Sequence, residues 1–114
     1  MKNVMTPTPQ QPIKLNDIAA QLPQAWSSTV LTQVGHANFK VLRMDEREYA
    51  NETHPYEEVL LVIDGQLNLV IDNQLIVVKT GESYTVQPNT PHAVAQGSFG
   101  TLVILDVGID PDLT

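Results

Sequence analysis

The chain contains no cysteine, which excludes disulfides, thiolate metal sites and a cysteine nucleophile. Its fold must therefore hold by packing alone. Cations are scarce too: Lys and Arg number 6 against 13 acidic residues, for a formal net charge of −7. Phosphate backbones and anionic lipid surfaces are bound by clustered Lys and Arg, so neither nucleic acid nor a membrane is an expected partner. Long hydrophobic runs are missing as well. The longest aliphatic stretch, Val59 to Ile63, is far too short to span a bilayer, and the N-terminus lacks an apolar segment resembling a signal peptide. The expectation is a soluble cytoplasmic protein. No Gly-rich phosphate loop, no Gly-x-Ser-x-Gly elbow, no His-Glu-x-x-His and no internal repeat occurs.

What is present suffices for one globular unit. A length of 114 residues with 42% hydrophobic composition supports a single core and leaves no room for two domains. Residues 1–12 carry Pro7, Pro9 and Pro12 among Thr and Gln, a composition that buries too little surface to offset the entropy of ordering. They are predicted to be a disordered arm, with residues 13–114 forming the domain. Ile13-Lys14-Leu15 reads as a short strand. Asn16 then reads as the N-cap of a two-turn helix over Asp17 to Leu22, stopped by Pro23 and docked through Ile18 and Leu22, with Trp26.

From Ser27 onward, short strands dominate. The expected strands are Thr29–Val34, Phe39–Met44, Val59–Ile63, Leu67–Ile71, Leu75–Val78, Ser83–Val86, His92–Ala95 and Thr101–Val107. Turns are expected at Gly35–Asn38, Asp64-Gly65, Asp72–Gln74, Lys79–Glu82 and Gly97–Gly100, and Gly108 to Thr114 reads as a tail. Val59 to Ile63 is apolar at every position, which predicts a strand covered on both faces. Many short strands separated by Gly and Pro turns indicate a closed or sandwiched all-β fold rather than βαβ units. His36 falls in an exposed hairpin loop.

The chemistry-bearing residues gather between Glu52 and His92. His54, three residues, Glu58, six residues and Gly65 resemble the second half of the first cupin motif. Gly81, ten residues and His92 have the Gly-to-His spacing of the second. Fifteen residues separate Gly65 from Gly81, similar to the short spacing of small bacterial cupins. That resemblance implies a jelly-roll barrel with one short N-terminal helix, often dimeric, often holding one divalent metal on three histidines and one glutamate. Carried over by position, His54, Glu58 and His92 fall on ligand positions, while Glu52 stands where the first histidine belongs. Gln87, Asn89 and Gln96 also depart from the second motif.

Glu52 and His54 are two apart, so on an extended strand both point to one face. Two carboxylates and two imidazoles would suit a divalent ion, with the extra oxygen favouring harder ions such as Mn or Fe(II) over copper. The candidate metal set is Glu52, His54, Glu58 and His92, with Mn, Fe, Ni or Zn as candidate ions. Glu57 is the alternative to Glu58 if the turn at Pro55-Tyr56 is shaped differently. Tyr49, Tyr56 and Tyr84 are candidate hydroxyl donors to the pocket, and Arg43 points either inward to an anionic ligand or outward to solvent.

Three readings follow: a metal-dependent enzyme acting on a small polar organic molecule, a metal-free small-molecule binding module, or an oligomerisation scaffold. No catalytic residue is assigned. The apolar strands Val59–Ile63 and Leu102–Leu105, with the segment Ile13–Leu22, offer more hydrophobic face than one barrel buries, which predicts a homodimer.

Overall fold

The computed structural model describes residues 11 to 107. Most of the expected arm and the C-terminal tail thus lie outside the described residues. Helix α1 (Leu15–Gln21) is followed by strands β1 (Thr29–Val34), β2 (Ala37–Met44), β3 (Tyr49–Glu52), β4 (Glu58–Ile71), β5 (Gln74–Lys79), β6 (Ser83–Val86), β7 (His92–Val94) and β8 (Phe99–Val107). This is an all-β jelly roll. The strands form one sheet in the order β1-β2-β8-β4-β7-β3, with β5 and β6 also pairing with β4. The sheet is not closed, because no ladder joins β1 to β3 among the described residues.

The long strand β4 organises this arrangement. Its first part pairs with β6 and β8, and its second with β5 and β7. Asp64-Gly65 was expected to be a turn, but β4 continues through it. A register shift between Val62 and Asp64 bends the strand there, and Gly65 lies opposite Gly100 of β8. Gly65 and Gly100 both have φ near +100°, which only glycine adopts without strain. Phe99 and Gly100, read from sequence as part of a turn, belong to β8.

Burial follows the strand period of two. Leu42, Met44, Leu60, Val62, Leu67, Leu69 and Leu102 turn inward to one cluster. Val41 and Val103 point to the other face, where they meet Ala19 of α1 and the half-buried Leu15, Ile18, Phe39, Leu61 and Ile63. The helix is therefore the second layer that the doubly apolar stretch of β4 required. Trp26 packs on the inner cluster, not with the helix as expected.

The N-terminal expectations also shift. No strand forms at Ile13–Leu15; Leu15 is already helical, and Lys14, not Asn16, is the N-cap, with no side-chain hydrogen bond. Leu15 makes a better apolar contact inside the helix than as a strand end, and this packing outweighs the cap that Asn16 offers. Leu22 before Pro23 is extended, at φ −66° and ψ 139°, as the steric bulk of a following proline demands. Arg43 faces outward. Its guanidinium donates to the carbonyls of Ala19 (2.9 Å) and Leu22 (2.7 Å), capping the helix end rather than holding a ligand.

Asp45 ties the loop after β2 to the helix-to-strand connection. Its carboxylate accepts from the Trp26 indole at 2.9 Å and from the Arg47 guanidinium at 2.8 Å. The Arg47 hydrogen bonds hold Asp45 at a pKa of about 2, against an ordinary 3.8. A depressed carboxylate contributes stability above its unfolded pKa and loses it as pH falls through the folded value. Acid unfolding followed by the fluorescence of Trp26, the chain's single tryptophan, should therefore steepen between pH 3.8 and about 2. Asp45→Asn should flatten that limb, and an unchanged limb would contradict this assignment.

Candidate functional site

On β2, β8 and β4 the inward positions change from apolar to charged at one end of the barrel. Asn38 is paired with Asp106, and Asp106 with Glu58, in one cross-strand row. Lys40 pairs with Ile104 one step deeper. Below them lie Leu42, Leu60 and Leu102. The result is a cavity of about 290 Å³ with an aliphatic floor and a polar mouth.

Two further segments complete the mouth. Glu52 ends β3 opposite His92 of β7, and His54 follows in the connection to β4. The Asn89 amide donates to the His54 carbonyl at 2.6 Å, fastening the Pro-rich loop of residues 87–91 to this connection. Asn89 has φ 60°, the left-handed conformation that asparagine tolerates where a glycine is expected.

Glu52, His54 and His92 each offer a donor atom, all within 4.8 Å of one another. Glu52 Oε1 is 3.4 Å from His54 Nε2, and the two histidine rings are 5.4 Å apart. Glu58 is outside that mutual trio but lies 3.2 Å from His92 Nε2. Between the two glutamates considered, Glu58 is buried and Glu57 is exposed. The four sequence-derived residues thus line one mouth. His36 sits exposed in the β1–β2 turn, away from it.

Electrostatics distinguishes these groups. His92 Nδ1 faces the Thr90 carbonyl at 2.9 Å, a contact that fixes the ring and turns Nε2 towards Glu58 and the cavity. The Glu58 hydrogen bond raises the His92 pKa above its ordinary value, against the opposing effect of burial. Burial pushes the Tyr56 hydroxyl up, and the carboxylates of Asp106, Glu58 and Glu52 add to the shift. Tyr56 also stacks on His54, with ring centres 5.0 Å apart. Tyr49 lines the cavity beside Trp26, whereas Tyr84 packs on the core.

Do these donors suit a metal ion? Two donors on one first-row ion, at bond lengths near 2.1 Å and right-angled to tetrahedral geometry, are separated by roughly 3.0–3.4 Å. The Glu52–His54 and Glu58–His92 separations fall in that interval. The Glu52, His54 and His92 group is close enough to hold an ion.

Lys40, Asp106 and Trp26 also line the cavity and were not singled out from sequence. A signal existed: Lys40 is in phase with inward Leu42 and Met44, and Asp106 with Leu102 and Ile104. A charge on the apolar phase of a strand marks a pocket or a buried pair.

The Cupin domain family model matches residues 41–108, more than half of the chain, and the chain belongs to that family. No curated protein matches it. Among solved structures, a cupin-2 domain protein from Shewanella frigidimarina is 24% identical, with 83% of this chain and 93% of that one covered and a TM-score of 0.72. A protein from Neisseria meningitidis is 17% identical, covering 85% and 99%, with a TM-score of 0.72. A cupin superfamily protein from Desulfitobacterium hafniense is 19% identical, covering 90% and 94%, with a TM-score of 0.70. At such identities the likeness is one of fold. Among the described residues, no helix is long and apolar enough to cross a membrane.

Proposed function

We propose that the pocket holds one divalent metal ion on Glu52, His54, Glu58 and His92 and binds or converts a small polar organic molecule in the cavity behind it. The observation that carries this reading is the grouping of donor atoms from Glu52, His54 and His92 within 4.8 Å, at the mouth of a cavity of about 290 Å³. Mn, Fe, Ni and Zn are the candidate ions, with the two carboxylates favouring Mn or Fe(II) over copper. When bound, such an ion supplies Lewis-acid polarisation of a ligand oxygen. The chain's own groups do the rest: Thr90 orients His92, Glu58 carries the charge facing it, and the leucine floor keeps water from the apolar part of a ligand.

One observation favours a second reading, a metal-free binding module. Both His92 nitrogens already have partners in Thr90 and Glu58, so the ring's hydrogen bonding is complete without any metal. Thermal unfolding with added Mn(II), Fe(II), Ni(II) or Zn(II) separates the two. A ligand at a hundredfold excess over its Kd stabilises by about 2.7 kcal/mol, so the metal reading expects a rise in Tm that His92→Ala abolishes. No rise with any of the four ions, or an equal rise in His92→Ala, would leave only the metal-free module.

The folded unit is read as residues 13–114, and it is read as a homodimer. Val34, Ala37 and Val107 share one cross-strand row on the outer face. Leu105 lies two residues along β8, on the same face. Val34, Leu105 and Val107 are exposed and continue the apolar patch that α1 covers, and a second copy would bury them across a two-fold axis. Light scattering at tens of micromolar should give twice the chain mass, with Val107→Lys shifting it towards the monomer. A monomeric wild type would overturn this assignment.

A further inference from the structure

The cavity contains a second charged group that the metal reading does not use. The Lys40 ammonium pairs with Asp106, whose side chain is 4% exposed against 20% for Lys40. Asp106 also accepts from Asn38 Nδ2 at 3.0 Å, and Asn38 in turn accepts from Gln33 at 2.8 Å. Such a buried pair is a poor device for stability alone, because desolvating two charges cancels most of their attraction. It does leave free hydrogen-bonding capacity. An ammonium has three N–H donors, and a carboxylate about four lone-pair directions. Among the described residues Asp106 is the only ion-pair partner of Lys40, and both side chains line the cavity.

From this pair we infer that Lys40 and Asp106 form a subsite for an uncharged polyhydroxylated ligand, a short polyol or small sugar carrying vicinal hydroxyl groups. The inference rests on reading this cavity as a ligand pocket. Three features select that chemistry. First, a donor and an acceptor stand side by side, so one hydroxyl oxygen accepts from Lys40 Nζ while its neighbour donates to Asp106. Second, the pair has no net charge, so a neutral ligand meets a donor and an acceptor without bringing an unpaired charge into the cavity. Third, the cavity offers carbon surface next to the polar pair. The Trp26 indole N–H is directed to Asp45 at 2.9 Å, so Trp26 presents ring carbon to the cavity, which Leu42 and Ile104 also line. C–H faces beside alternating hydroxyls match that surface.

The test uses three probes of one carbon skeleton: erythritol, its carboxylate erythronate, and a butanediol without vicinal hydroxyls. Each is titrated by calorimetry into the full chain, as purified and after addition of Zn(II). Erythritol should bind at least about tenfold more tightly than either analogue, the loss expected when one hydrogen bond to a charged group goes unmade. The double variant Lys40→Met with Asp106→Asn removes the charges while keeping the side-chain volumes close. It should lose erythritol by at least about tenfold and retain Zn(II) affinity within about twofold. If that variant does not unfold cooperatively, Lys40→Arg replaces it, with a loss of erythritol affinity at an unchanged Tm. Tighter erythronate than erythritol, no erythritol binding by folded protein, or equal binding by the folded variant would each overturn the inference. Erythritol binding that depends on Lys40 in protein that takes up none of Mn(II), Fe(II), Ni(II) and Zn(II) would uphold the subsite and remove the metal reading instead.

Discussion

Replacing Gly65 or Gly100 with alanine is expected to destabilise the protein by about 3 kcal/mol or more, among the largest effects any single substitution here should have. The two glycines face each other where β4 bends across β8. A Cβ on Gly65 would lie 2.1 Å from the Phe99 carbonyl oxygen, and one on Gly100 would lie 1.9 Å from that of Asp64. Both obstacles are backbone, so no side chain can swing aside. The left-handed φ adds its own strain of about 1–2 kcal/mol. Gly35 and Gly81 also have positive φ but open space around them, so alanine there should cost only that smaller amount. Urea unfolding of the four variants checks this directly. If the costs at Gly65 and Gly100 equal those at Gly35 and Gly81, the close approach of β4 and β8 is wrong.

The second large effect is on metal retention. His92→Ala should reduce affinity for Mn(II) or Zn(II) by at least about a hundredfold, because it removes a proposed ligand and leaves Glu58 buried without its partner. Glu52→Ala should weaken binding less and not empty the site, since the Glu52 side chain is 65% exposed. Glu52→His restores an imidazole at that position and should shift preference towards Zn or Cu. Competition titrations with a metallochromic chelator read all three. Equal affinities across the three variants and the wild type would show that these side chains do not hold the ion.

The sheet was legible in the sequence because strands with one face inward repeat every two residues. Phe39 to Met44 and Leu102 to Val107 fall inside observed strands for that reason. Asp64-Gly65 misled because the pair is a strong hairpin signal locally, whereas its real constraint is Gly100, some thirty-five residues away. A contact of that range has no local signature. Leu15 was misread for a related cause: its helical state depends on packing near Ala19, Val41 and Val103, not on the cap that Asn16 advertises.

The candidate site divides along the same line. His54, Glu58 and His92 were legible through motif spacing, and the choice of Glu58 over Glu57 was not, because it depends on which residue starts β4. Lys40 and Asp106 carry no motif. They become notable only when strand phase puts a charge among inward leucines. Arg43, one phase away on the same strand, has equal charge and a structural task at the end of α1.

Four side chains, from β3, the connection after it, β4 and β7, are proposed to converge on one ion. Anomalous diffraction from crystals of the full chain grown with Mn(II) or Zn(II), collected at the absorption edge of the metal, locates that ion. The expected result is one strong peak per chain, bonded to ring nitrogens of His54 and His92 and to carboxylate oxygens of Glu52 and Glu58. A peak elsewhere, no peak, or His54 and His92 rings turned to opposite sides of the barrel wall would contradict it.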